Sequence, residues 1–439
     1  MNAREASLEV VKTLRRHGHD AVFAGGCVRD MLMNREPSDY DVATSAQPDE
    51  VLKLFERTFA VGRQFGVVVV VVDSHNVEVA TFRTDGPYTD GRRPDFVRFS
   101  DREGDVRRRD FTVNGLLCDP LTGEIIDLVG GRADIEAKLI RAIGDPVKRF
   151  QEDRLRLLRA VRFAARLDFE IEPETRRVIR ESAGTIVTVS AERIADEFRK
   201  MLVDSRRSCA LTLMDELGLL EHLLPEIVAM KGVQQGLTHH PEGDVFQHTL
   251  LTLRHLENPS FELALATLLH DVGKPVTARP VEGAIFVRHA AVGEEIARAI
   301  CRRLKLSNDE TDRVTWLVRS HMRFRDVRLM RESTLKRLFA EPFIDELGAL
   351  IRADILGSFG DLTDYEWALQ RKREFEQSGE PLKPLLSGDD LVGMGFTPGP
   401  EFRKILEALV DAQLEGKVTT RDEAEKFVRG MTSGRQKGC

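Results

Sequence analysis

The sequence predicts an α+β chain, with a small mixed sheet confined to its first third and a mainly α-helical remainder. Two observations predict it. Short β-branched and aromatic runs cluster before residue 145, at Ala21–Ala24, Val67–Val72, Val77–Phe82, Phe96–Phe99 and Glu124–Leu128. From Phe150 onward the apolar spacing is helical nearly throughout, punctuated by Pro259, Pro275 and Pro280.

In chain order, residues 1–18 read as a helix and Ala21–Ala24 as a strand, and Gly25-Gly26 turns the chain into a second helix. Val67–Val72 and Val77–Phe82 read as paired strands joined across Asp73-Ser74-His75-Asn76. The polar stretch Thr84–Pro94 reads as a loop, and Phe96–Phe99 as a strand leading to Arg108-Arg109-Asp110. The strand Glu124–Leu128 ends at a Gly-Gly turn.

Bulk properties narrow the function classes. With 439 residues, 42% of them hydrophobic and 31% charged, the chain supports roughly two to four folded domains. The longest apolar run, Gly66–Val72, is far too short to span a bilayer. Arg4, Glu5 and Glu9 precede any apolar block, so no secretory signal is expected. Five scattered cysteines fit a reducing cytoplasm. The net charge of −7 hides a strongly basic segment, residues 141–180, with ten arginines and Lys148.

Chemistry is first suggested by Gly25-Gly26-Cys27-Val28-Arg29-Asp30, followed by Asp39-Tyr40-Asp41. A glycine turn lets backbone approach phosphates, and Arg29 adds a charged fork for them. Asp39 and Asp41 alternate along an extended segment, so both carboxylates face one side. Two such acids repel unless a cation lies between them, which suits Mg²⁺ with phosphate and water as its other ligands. Glu78, in Val77-Glu78-Val79, is a candidate third acid.

A second pattern runs from Gln151 to Phe163. On a helix, Asp153, Arg156, Arg159 and Arg162 form one stripe, and Leu155, Leu158 and Val161 another that reads as core. Glu152 can pair with Arg156 four residues on. A carboxylate only accepts hydrogen bonds and a guanidinium only donates. Cytosine (N4 amino, N3) and adenine (N6 amino, N1) offer the complementary donor and acceptor. Uracil O4 and guanine O6 would face the carboxylate as a second acceptor, a mismatch worth about 1–3 kcal/mol when buried. Asp153 with Arg156 therefore suits C and A.

These residues carry a resemblance. Gly25–Asp30 with Asp39 and Asp41, then Arg108-Arg109-Asp110-Phe111-Thr112-Val113-Asn114, then Glu152-Asp153 with Arg156, resemble in order the motifs of the class II tRNA nucleotidyltransferase and bacterial poly(A) polymerase family, within the DNA polymerase β-like superfamily. The likeness extends to about residue 235. It implies that Gly26, Arg29 and Arg109 contact the nucleotide and that Asp39 and Asp41 are catalytic and hold Mg²⁺. It implies base selection by Glu152, Asp153 and Arg156, with Arg159 and Arg162 serving the triphosphate or positioning the helix. The implied partners are tRNA, ATP and CTP, with no membrane. In the family, CC-adding enzymes lack a flexible loop, to which Arg83–Asp95 corresponds here, and bacterial poly(A) polymerases follow the Glu-Asp pair with proline where this chain has Arg154. CMP and AMP addition is therefore favoured, with A-only addition and poly(A) synthesis as alternatives.

Seven of the eleven histidines fall between residues 239 and 321. His248, His270-Asp271, His289, His321 and Asp354 occur in the order found in the HD phosphohydrolase superfamily, which they resemble. Imidazole suits a divalent transition metal, and a bridging aspartate can hold two ions around an activated water. His239, His240 and His255 are read as non-ligands. An HD-domain phosphohydrolase acting on nucleotides or RNA phosphate ends is thus the rival reading. The expected organisation is a nucleotidyltransferase domain at 1–145, a helical neck with template and RNA binding at 146–235, an HD domain at 236–360 and a helical RNA-binding or tail region at 361–439.

Overall fold

The computed structural model describes residues 1–60, 63–86, 88, 96–235, 243–279, 285–358, 360–378 and 384–433. The chain divides into two compact units, one of Met1–Val228 with Arg303–Leu306, the other of Ala229–Arg302 with Ser307–Cys439. The expected α+β class holds: a sheet occupies the N-terminal part and helices the rest.

In the first unit, α1 (Ala3–Arg16) is closed at its start by a reciprocal Asn2–Glu5 capping box. Then come β1 (Ala21–Ala24), α2 (Gly26–Leu32), β2 (Val42–Thr44), α3 (Pro48–Leu54), β3 (Thr58–Phe59), β4 (Val67–Val72) and β5 (His75–Thr81). They are followed by β6 (Arg83–Asp85), β7 (Val97–Phe99), α4 (Arg102–Arg107), β8 (Leu116–Cys118), β9 (Ile125–Asp127) and α5 (Gly131–Glu136). The main sheet runs β3-β4-β5-β2-β1-β8-β9, with β2 and β5 parallel and the other neighbours antiparallel. One face packs on α1 through Val10, Val11, Leu14, Phe23, Val42 and Val79.

The β4–β5 turn is tighter than the sequence suggested. His75 and Asn76 belong to β5, because Val72 pairs with His75 across a two-residue turn in which Asp73 has φ 55°. The polar loop begins and ends in a hairpin, with Arg83 paired to Phe99 and Asp85 to Val97. The rest of that loop, at 87 and 89–95, lies outside the described residues, as do His239 and His240.

The helical part of this unit contains α6 (Pro146–Glu152), α7 (Arg156–Leu167), α8 (Pro173–Ser182), α9 (Ala191–Leu202) and α10 (Arg207–Glu216). Leu157, Leu158 and Val161 are fully buried, each contributing about 2 kcal/mol of apolar burial, and this anchors α7 against α9 and α10.

In the second unit the helices Val245–Arg254, Phe261–Leu269, Asn308–Ser320 and Ile344–Leu356 pack on one another. Leu265, Leu269, Leu317, Leu347 and Leu350 fill the space between them. A satellite core of Leu386, Leu391, Leu409, Ala424 and Val428 lies nearer the C-terminus. Among the described residues, no helix is long and apolar enough to cross a membrane.

Candidate functional site

The first site forms where β1, β2 and β5 lie side by side. Tyr40 turns inward, its ring 5.3 Å from Phe23, and its carbonyl accepts the Ser7 hydroxyl at 3.0 Å. The Asp41 carbonyl accepts the Ala24 N–H at 3.0 Å. With Tyr40 pinned inward, Asp39 and Asp41 on either side of it face the other way. The parallel register pairs Val42 with Val79, so one residue earlier Asp41 lies beside Glu78.

Electrostatics agree with that convergence. Burial, then the Glu78 and Asp39 charges, push the Asp41 carboxyl from 3.8 up to about 7, against the pull of Arg109. Burial and the Asp39 charge raise Glu78 as well. All three side chains keep a face open to solvent, so a cation can reach the inner faces that crowd together. Carboxylates arranged this way fit a hard divalent ion such as Mg²⁺, with Asp39 and Asp41 as holders and Glu78 beside them.

The shift sets a pH dependence. A carboxyl with its folded pKa above its unfolded value of 3.8 holds its proton more tightly in the fold, so the metal-free protein loses stability as pH rises from 3.8 to about 7. A cation must displace that proton at lower pH. Apparent Mg²⁺ affinity should therefore fall about tenfold for each pH unit below about 7. Magnesium titrations followed by melting temperature at several pH values check this, and a flat profile from pH 5.5 to 8 would contradict it.

The guanidinium groups around this centre are held in fixed poses. Gly25 has φ 77°, and a Cβ there would stand 2.8 Å from Arg109 Nη1, so the glycine permits a close approach. Gly26 follows as the first residue of α2 without positive φ, so the conformational demand falls on Gly25. Arg29 donates to Asn114 Oδ1 at 2.6 Å and to Asp30 at 2.9 Å. Asn114 donates to Asp110 at 3.1 Å, and Asp110 accepts Arg159 Nε at 2.7 Å. Burial raises the Asp110 carboxyl, but Arg159 and Asn114 outweigh it and hold it at about 2. Arg109 donates to the buried Asp105 at 2.9 Å. The Phe163 ring supports three cations, with Arg29, Arg159 and Arg162 5.5, 5.2 and 4.3 Å from its centroid.

The expected stripe from Asp153 to Arg162 is interrupted. Asp153 is extended (φ −144°, ψ 105°) and lies between α6 and α7, so it does not share a helix with the arginines. Its Oδ1 accepts the Leu155 N–H at 3.1 Å, a side-chain bond that competes with helix continuation. The expected Glu152–Arg156 pair forms nonetheless, at 2.6 Å, and Arg156 also donates to the Arg108 carbonyl at 3.1 Å. Arg162 is buried against Glu197 at 2.6 Å. Sequence reading assigned no role to Asp105, Arg193 or Glu197. The i, i+4 spacing of Asp105 with Arg109, and of Arg193 with Glu197, was the available signal among these.

In the second unit, all six expected residues converge. His248 Nε2 lies 2.8 Å from Asp354 Oδ1, and His270 Nε2 is 3.2 Å from Asp271 Oδ2. His289 and His321 stand 3.6 and 3.8 Å from Asp271 Oδ1. They form two adjoining groups suited to metal, His248–His270–Asp354 and Asp271–His289–His321. The Nδ1 atoms of His270, His289 and His321 are bound to backbone carbonyls at 2.8, 3.0 and 2.7 Å, so Nδ1 carries the proton and the Nε2 lone pairs point inward.

Two observations fit a metal here. His270 Nε2 is buried without a hydrogen-bond partner. His289 and His321 face each other Nε2 to Nε2 at 3.2 Å, two lone pairs that a cation would reconcile. Burial lowers His289 and brings His321 down to about 4, which favours the neutral imidazoles that a metal requires. Asp271 is fully buried, and the Lys274 ammonium beside it favours its ionised form. Lys274, 2.6 Å from Asp271 Oδ2, was not anticipated.

Comparison with known proteins supports both halves. Residues 21–141 match the poly A polymerase head domain, 168–230 the probable RNA and SrmB-binding site of polymerase A, and 245–357 the HD domain. The chain is 45% identical over 220 residues to a CCA-adding enzyme of Geobacillus sp. (strain WCH70), covering 50% of this chain and 54% of that protein. It is 41% identical over 238 residues to the CCA-adding enzyme of Lactobacillus johnsonii, covering 54% and 58%. The chain thus spans about half the length of the curated relatives it matches. The solved structure of Bacillus stearothermophilus CCA-adding enzyme in complex with CTP superposes with a TM-score of 0.77 at 29% identity, covering 100% of both chains. The motifs, the fold and these matches agree: the chain carries a poly A polymerase head domain, the RNA-binding region that accompanies it and an HD domain.

Proposed function

We propose that the protein is a tRNA nucleotidyltransferase that adds CMP and AMP from CTP and ATP to the tRNA 3′ end, releasing pyrophosphate without a nucleic-acid template. The observation that carries this reading is the crowding of Asp39, Asp41 and Glu78 beside a fixed guanidinium array. Mg²⁺ held by Asp39 and Asp41 would supply activation of the 3′-hydroxyl and neutralisation of the pyrophosphate.

The chain's own residues do the rest. Arg29 and Arg109 hold the triphosphate, with Gly25 and Gly26 leaving room for it. Asp153 accepts the exocyclic amino group of cytosine or adenine, and Arg156 donates to N3 or N1. Glu152 orients Arg156. Arg159 and Arg162, engaged by Asp110 and Glu197, position α7. Residues 1–145 carry the chemistry, 146–235 read the nucleotide and grip RNA, 236–360 form the HD domain and 361–439 extend the RNA grip. Relatives named CCA-adding enzyme, and one solved with CTP, support this reading. The reducing cytoplasm is the corresponding compartment.

A second activity is favoured by the paired histidine–aspartate groups. His248, His270, Asp271, His289, His321 and Asp354 would hold a divalent transition metal for hydrolysis of phosphate ends.

The test incubates the protein with Mg²⁺, each NTP, and tRNA ending either at the discriminator base or in CC. Three added nucleotides on the first substrate and one on the second are expected for CCA addition. Growth only from the CC end would indicate an A-adding enzyme, and long adenylate tails a poly(A) polymerase. No extension with CTP or ATP would overturn the reading.

A further inference from the structure

Asp39, Tyr40 and Asp41 precede β2, which starts at Val42, so the strand ladder does not by itself fix the two acids. The backbone is anchored instead on both sides of the Asp41 Cα. The peptide after it is tied to β1, where the Asp41 carbonyl accepts the Ala24 N–H at 3.0 Å. The peptide before it is tied to α1, where the Tyr40 carbonyl accepts the Ser7 hydroxyl at 3.0 Å, across 33 residues of chain. A peptide is planar, so each bond holds a whole plane. The two planes together set the direction in which the Asp41 side chain leaves the backbone.

Ser7 is otherwise a poor choice for its position. The other residues that α1 buries are Ala6, Val10, Val11 and Leu14. Ser7 is 2% exposed among them, and alanine would pack there with better helix propensity. A helical serine can donate to the carbonyl four residues back, but this one donates out of its helix. Among the described residues, Ser7 is the donor that satisfies the buried Tyr40 carbonyl.

We propose that Ser7 is a positioning residue for the magnesium site: by holding the Tyr40–Asp41 peptide against α1, it keeps the Asp39 and Asp41 carboxylates at the spacing one cation requires. This rests on the metal-holding role proposed above for Asp39 and Asp41. Without the hydroxyl the peptide can tilt, and the two like charges turn apart. A cation must then draw them back together, and its affinity falls. Excess magnesium restores the arrangement, and with it the rate.

The test titrates Mg²⁺ into the metal-free protein and reads the melting temperature, then titrates it into tRNA extension with CTP. Wild type, Ser7→Ala, Ser7→Thr and Asp41→Asn are compared. In Ser7→Ala the half-saturating Mg²⁺ concentration should rise at least about tenfold in both titrations, the scale of losing a bond that orients a metal ligand. At saturating Mg²⁺ its kcat should return to within about threefold of wild type. Ser7→Thr keeps a hydroxyl and should shift half-saturation less than about threefold. A merely structural role would lower the metal-free melting temperature and leave half-saturation in place. A shift in Ser7→Ala below about tenfold overturns the proposal, as does an equal shift in Ser7→Thr, or a kcat that excess Mg²⁺ does not restore. If Ser7→Ala fails to fold, Ser7→Cys, a weak donor of similar size, decides, and wild-type half-saturation there overturns the proposal. If magnesium stabilises Asp41→Asn as it does wild type, the metal-holding role itself falls. If it does not, and Ser7→Ala titrates as wild type, only the role of Ser7 falls.

Discussion

Asp41→Asn should lower nucleotide addition at least about a thousandfold, the scale of losing one charge that stabilises the transition state, and should raise the melting temperature of the magnesium-free protein. The two effects share a cause. Asp41 stands beside Glu78 and Asp39, and burial and these charges push its carboxyl up to about 7. Near neutral pH the fold holds a charge it disfavours, which asparagine removes at nearly the same size. A site that must hold a cation is strained without it, so activity and metal-free stability oppose each other here. Magnesium should stabilise wild type and leave the variant nearly unmoved. Primer-extension rates and melting curves with and without Mg²⁺ check this. A variant that is inactive but melts lower would mean that Asp41 supports the fold and is not a strained ligand. Retained extension would remove Asp41 from the catalytic set.

The sequence revealed this acidic centre because alternation along an extended segment is a local rule. Asp39 and Asp41 need only one inward residue between them, and Tyr40 is that residue. The HD residues were legible for another reason: histidines are few, so an ordered set stands out even when scattered over a hundred positions. The base-reading segment was half legible. The Glu152–Arg156 pair forms as expected, but helical spacing carried Asp153 into α7, and nothing nearby, neither glycine nor proline, marked a break. The break comes from Asp153 itself, whose carboxylate takes the Leu155 N–H and is held by Arg193, forty residues further along the chain. Which of many arginines faces a given acid is a tertiary fact that no local pattern encodes. Asp110 and Asn114 illustrate the same limit, lying inside a recognised motif while their bridging between Arg29 and Arg159 emerged only from the fold.

Asp271→Asn should cut metal retention by the HD centre at least about a hundredfold, at the top of the range for disturbing a metal shell, and should leave nucleotide addition within about twofold of wild type, as expected for two sites that share no residue. Asp271 faces all four histidines of the centre: Oδ1 lies near His289 and His321, Oδ2 near His270 and His248, with Lys274 beside it. An amide in its place offers one acceptor oxygen and an amino group that donates where a ligand is needed. Asparagine is preferred to alanine because its amide oxygen can still accept the buried Lys274 ammonium, which stands 2.6 Å from Asp271 Oδ2 and also donates to Gln235. Metal content after reconstitution with Mn²⁺, Co²⁺ or Ni²⁺, hydrolysis of an aryl phosphodiester, and tRNA extension are read on the same preparation. Asp354→Asn should lose less metal, since among the described histidines Asp354 faces His248 and His270, two where Asp271 faces four, and it keeps 26% of its side chain exposed. Equal metal loss in both variants would mean that the two groups bind as one unit and not around Asp271. Loss of extension in Asp271→Asn would contradict the assignment of two independent activities, because Asp41→Asn and Asp271→Asn must fail in opposite assays for that assignment to stand.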